Sequence, residues 1–72
     1  MELCQMRCGQ CFWVERIPEG ALKKRLYQLG FVEGVVVHCR LSKRSIVALE
    51  WPGTVIALRR KDMKGISGRV IA

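Results

Sequence analysis

The chain has 72 residues, half of them hydrophobic, with 13 Lys and Arg against 6 Asp and Glu and a net charge of +7. That length holds one small domain, 1–72, burying only about 60% of its unfolded surface, while the apolar content argues against a disordered tail and no apolar run approaches the ~20 residues of a membrane helix. With no signal-peptide pattern at the N-terminus the expected location is the cytoplasm, and the basic excess favours acidic partners such as nucleic acid, anionic headgroups or an acidic protein face, although plain solubility asks for no more.

Residues 1–8 read as a cysteine-bearing lead-in, and Cys4, Cys8 and Cys11 stand in a C-x3-C-x2-C spacing. Three thiolates this close in sequence could converge on Fe²⁺ or Zn²⁺ if the segment curls. The spacing resembles the cluster-binding loop of radical-SAM enzymes, but those set the loop in a barrel several times this length. A tetrahedral zinc site also needs a fourth ligand, and only Cys39 and His38 remain as further thiol and imidazole. The other reading makes Cys4 a free thiol, Cys8 a turn residue and Cys11 a small apolar residue in a strand. Without a secretory context a disulfide scaffold is not expected.

From Gln10 to Ile17 the sequence reads as a strand, with Phe12 and Val14 on one face and Cys11, Trp13 and Glu15 on the other. Pro18-Glu19-Gly20 ends it and starts a helix, with Gly20 as N-cap. Leu22, Leu26 and Leu29 fall at i, i+4 and i+7 and predict the buried stripe of that helix, which Gly30 stops. A helix of about ten residues is unstable alone in water and must be held by packing. After Gly34, Val35, Val37, Cys39 and Leu41 alternate with Val36, His38, Arg40 and Ser42, which predicts a strand with Cys39 in the core and His38 on the surface. Adjacent strand residues face opposite ways, so this pair should not share a metal.

Ser42 to Ser45 reads as a basic hairpin loop, Ile46 to Trp51 as a strand, Pro52-Gly53 as a turn, and Thr54 to Arg60 as another strand with Ile56 and Leu58 inward. Residues Lys61 to Ile66 suit one helical turn, and Arg69-Val70-Ile71 a last short strand. The expectation is a mainly β protein with one short helix, its five or so strands bent into a small antiparallel barrel that also protects its edges.

Arg25 to Gly34, R-L-Y-Q-L-G-F-V-E-G, the V-x-V strand after it, and Val55 to Arg60 together resemble the FeoA family, the small ferrous iron transport protein A. The similarity runs over roughly residues 9 to 71, with Gly9 matching the glycine ahead of the first strand. It implies an SH3-like barrel, related to a module at the C-terminal end of iron-dependent repressors, in which Leu26, Leu29, Gly30 and Gly34 serve the fold. The chain departs from the family pattern at Glu33, where a proline is typical, and at Lys43-Arg44-Ser45, where a longer loop with Gly-Asp-Pro is usual.

The resemblance implies an accessory protein of ferrous iron uptake that binds the cytoplasmic part of the FeoB transporter and affects its assembly or gating. Any membrane association would go through that partner. Two other readings come from the residues. Lys43, Arg44, Arg59, Arg60, Lys61 and Lys64 would suit a nucleic-acid-binding barrel, but Trp13, Tyr27 and Trp51 are the only candidate stacking rings besides two phenylalanines. Cys4, Cys8 and Cys11 would suit a thiolate metal sensor or carrier. An enzyme is not expected. There is no carboxylate pair, no nucleophile with a base, and Gly65-Ile66-Ser67-Gly68 is not a Walker loop.

Overall fold

Period-two alternation and glycine punctuation produce five strands and one helix in this chain. In the computed structural model, which describes residues 1–72, these are β1 (Cys11–Arg16), α1 (Ala21–Gln28), β2 (Val36–Ser42), β3 (Ile46–Trp51), β4 (Thr54–Arg59) and β5 (Ser67–Val70), with 3₁₀ turns at Leu3–Gln5 and Arg60–Asp62. The strands make one antiparallel sheet in the order β4-β3-β2-β1-β5. Phe12 and Val14 of β1, Val37 and Cys39 of β2, and Val47, Leu49 and Trp51 of β3 are buried on its inner face, as their alternation requires.

Two residues do not follow the expected pattern. Leu41 was expected on the buried face of β2, but a bulge between Cys39 and Leu41 shifts the register and leaves it 40% exposed. One extra residue in a strand reverses the faces of all that follow. Leu29 was expected on the helix stripe, yet it is the C-cap residue and 44% exposed. Here the cause is the cap. Gly30, at φ +85°, reverses the chain, its N–H donates to the Tyr27 carbonyl, and the Phe31 N–H donates back to Leu26 at 2.9 Å. This is a Schellman closure, which brings the residue after the glycine against the last turn of the helix. Phe31 therefore takes the core position, fully buried, edge-on to Trp51 with ring centroids 5.3 Å apart.

Residues 1–6 are structural. Leu3 and Met6 are buried in the same core as Phe12 and Phe31. The Gly68 N–H donates to the Met1 carbonyl at 3.0 Å, the Met1 amine donates to the Gly68 carbonyl, and Leu3 N–H donates to Ile66 at 2.8 Å. Glu2 bridges Ser67. The segment thus covers the outer edge of β5. That strand starts earlier than the sequence suggests because Gly68 permits a very close approach to β1; a Cβ there would stand 1.9 Å from the Trp13 carbonyl oxygen and 2.7 Å from Phe12 Cε1.

Arg60 ties this segment to the β2–β3 hairpin. Its Nη1 donates to the Cys4 carbonyl, its Nε to the Lys43 carbonyl at 2.9 Å, and its Nη2 to Ser42 Oγ at 2.6 Å. Ser42 Oγ in turn donates to the Met6 carbonyl at 3.2 Å. The planar guanidinium fork reaches three acceptors that a lysine, with one nitrogen, cannot reach together.

Two stability orderings follow. Gly68→Ala should cost about 3 kcal/mol or prevent folding, because backbone must move, whereas Gly30→Ala, whose new methyl would meet only Trp51 Nε1 at an ordinary 3.6 Å and add left-handed strain, should cost about 1–2 kcal/mol. Urea unfolding of both variants checks the order. Arg60→Lys should lose about 2 kcal/mol, close to the loss in Arg60→Met. Full rescue by lysine would mean that charge, not the fork, holds the segment.

Candidate functional site

The three thiols flagged by spacing end in three settings. Cys4 is half-buried on the first 3₁₀ turn, its Sγ 3.9 Å from Glu2 Oε1. Cys8 is exposed in the turn before β1, where the Gln10 N–H donates to the Arg7 carbonyl, and its thiol donates to the Arg40 carbonyl at 3.2 Å. Cys11 opens β1, half-buried opposite His38. No three Cys, His, Asp or Glu side chains are gathered as a ligand set. Cys39 is buried, with its thiol on the Leu41 carbonyl at 3.5 Å; burial pushes its pKa up and neighbouring Cys8 adds to the shift.

His38 lies on the outer face, 3.9 Å from Glu50 Oε1, and Glu50 also takes Arg40 at 3.4 Å. With Val36, Trp51, Pro52 and Gly53 these two side chains line a shallow groove of about 350 Å³. At α1, Tyr27 donates its hydroxyl to Glu33, which lowers the Glu33 pKa and raises that of Tyr27. Lys23 bridges Glu19 at 2.6 Å and Glu33 at 3.5 Å, and its pKa is raised chiefly by the bond to Glu19. Glu33 thereby laces α1 to the loop that follows it.

The densest charge is elsewhere. Arg44, Ser45, Arg59, Arg60 and Lys61 line a cleft of about 470 Å³ between the β2–β3 loop and the end of β4. Its nearest carboxylate, Asp62, is held by Arg59 at 3.1 Å. In sequence Arg60 reads as one more surface cation, whereas the fold uses it as a clamp. A signal was present: a tight turn at Pro52-Gly53 pairs Trp51 with Thr54, and counting back along the hairpin sets Arg59 opposite Ile46 and Arg60 against the basic loop.

A family model described as the FeoA domain matches residues 1–70, so the match takes in the lead-in as well as the strands. Among solved structures, the solution NMR structure of the FeoA protein from Chlorobium tepidum superimposes with a TM-score of 0.84 at 23% identity, covering 100% of this chain and 71% of that one. No curated protein matches in sequence. The five antiparallel strands with one helix are the small SH3-like fold of that structure, and by the match across 1–70 the chain belongs to the FeoA family, small proteins associated with ferrous iron transport.

Proposed function

We propose that this protein is a non-catalytic, cytoplasmic accessory component of ferrous iron uptake that binds the cytoplasmic part of the FeoB transporter and affects its assembly or gating. The observation that carries the reading is the FeoA match across residues 1–70. The disposition of the acidic groups supports contact over catalysis. Glu15 pairs with Arg69, Glu19 and Glu33 with Lys23, Glu50 with Arg40, and Asp62 with Arg59, while Glu2 accepts the Gly65 N–H. The one thiol beside a carboxylate, Cys4 at 3.9 Å from Glu2, has no imidazole or second base with it. No helix is long and apolar enough to cross a membrane, so on this reading the membrane is reached through the transporter.

Co-purification tests the contact. At micromolar concentration in physiological salt the protein should be retained by FeoB of its own organism, and the test is run with and without guanine nucleotide. No retention in either state would remove the contact mechanism.

Metal carriage by Cys4, Cys8 and Cys11 is an added proposal. These residues are separate in the folded chain, and Leu3 and Met6 between and beside them are core residues, so gathering the thiols around Fe²⁺ or Zn²⁺ would draw the lead-in from its place. Any metal on the reduced, anaerobically purified protein should fall to background in a Cys4→Ser, Cys8→Ser, Cys11→Ser variant. Metal retained by that variant would rule these ligands out.

A further inference from the structure

We propose that the cationic cleft at the β2–β3 loop, together with the free edge of β4 beside it, is a docking site for an extended acidic segment of a partner protein. The inference rests on the reading of the chain as a module that works by contact, and it names the surface and the chemistry of what meets it.

Charge is the first support. Arg44 and Lys61 line the cleft and form no ion pair, and Arg60 spends its donors on two carbonyls and a hydroxyl, which leaves its charge uncompensated. The one carboxylate nearby is committed to Arg59, and the other five lie in pairs or bonds elsewhere. Such a concave, single-sign surface concentrates anionic partners. Arg60 is also held in place before anything binds, so little side-chain freedom is lost there on association.

The second support is the sheet edge. The two ends of the sheet are treated differently: residues 1–3 cover β5, while β4 pairs with β3 alone. The Pro52-Gly53 turn makes Trp51 and Thr54 a bonded pair, and bonded pairs recur at every second residue, so the backbone groups of Val55, Ala57 and Arg59 point away from β3. Their side chains are exposed, Val55 at 56%. An edge that carries no charge from Thr54 to Leu58 and runs into a basic cleft at Arg59 suits strand addition by a chain with apolar and acidic residues.

The same surface is poorly made for phosphate or nucleic acid. No glycine lines the cleft to let a phosphate approach the backbone. The rings that could stack on bases are engaged: Trp51 is 4% exposed and donates to the Leu29 carbonyl, Trp13 lies under the Arg69 guanidinium, and Tyr27 is bonded to Glu33.

The test is an NMR titration of the ¹⁵N-labelled protein with a short synthetic peptide alternating Val and Glu, the same peptide with Gln for Glu, and inorganic phosphate. The Glu peptide should shift the amides of Arg44, Ser45 and Val55 to Lys61, the Gln peptide should bind about tenfold more weakly, and Arg44→Glu with Lys61→Glu should abolish the shifts. Shifts scattered over other lysines and arginines, equal shifts with phosphate, or none at all would each overturn the inference. The outcome separates from that of the transporter reading. Retention on FeoB that survives the double variant removes this surface and leaves the accessory role, and peptide binding without retention on FeoB does the reverse.

Discussion

The closure of α1 by Gly30 is the constraint on which the rest of the structure depends. A helix of this length has too few internal hydrogen bonds to persist by itself, and only Leu26 of Ala21–Gln28 is fully buried. The left-handed turn at Gly30 lets the Leu26 carbonyl accept from Phe31, delivers Phe31 to the core, and leaves the Leu29 carbonyl free to accept from Trp51 Nε1 at 3.0 Å. Trp51, the last residue of β3, is thus joined to the segment after the helix by one hydrogen bond, to Leu29, and one aromatic contact, with Phe31. Without that reversal the inner face of β3 would lose its cover.

The opposite side of the core is closed by the lead-in. Leu3 and Met6 fill space that the five strands leave open, and the Met1–Leu3 backbone completes the edge of β5. A small domain has little apolar area to spare, so the few residues before β1 are part of its core. Arg60 holds them by carbonyl contacts with no carboxylate involved, which makes the clamp both a structural bond and a standing positive charge.

Surface and function meet at that charge. Five of the six acidic residues of this chain sit in ion pairs, with Glu33 binding the helix to its following loop and Glu50 serving β2. The cations are in excess and gather where the β2–β3 hairpin meets the end of β4. Exposed ion pairs of this kind contribute little to stability; their consequence is where uncompensated charge is left. On the proposed docking reading this FeoA-family domain has here a face with a sign and a direction.

Much was legible from the residues alone. Strand and helix positions followed from alternation and from Gly20, Gly30 and Pro52-Gly53, and the family followed from Arg25 to Gly34 with Val55 to Arg60. His38 outside and Cys39 inside were also readable, since a strand's side-chain period is two. What only the tertiary structure decided is where periodicity breaks and where distant segments meet. The bulge that turns Leu41 outward, the settings of Cys4, Cys8 and Cys11, and the bond from Arg60 to Cys4 all depend on contacts between residues far apart in sequence or on one extra residue in a register, while the burial of Phe31 in place of Leu29 comes from the local reversal at Gly30. Local pattern reports a residue's preferred face; it carries no information about which backbone carbonyl will stand within reach of a side chain once the sheet has curled.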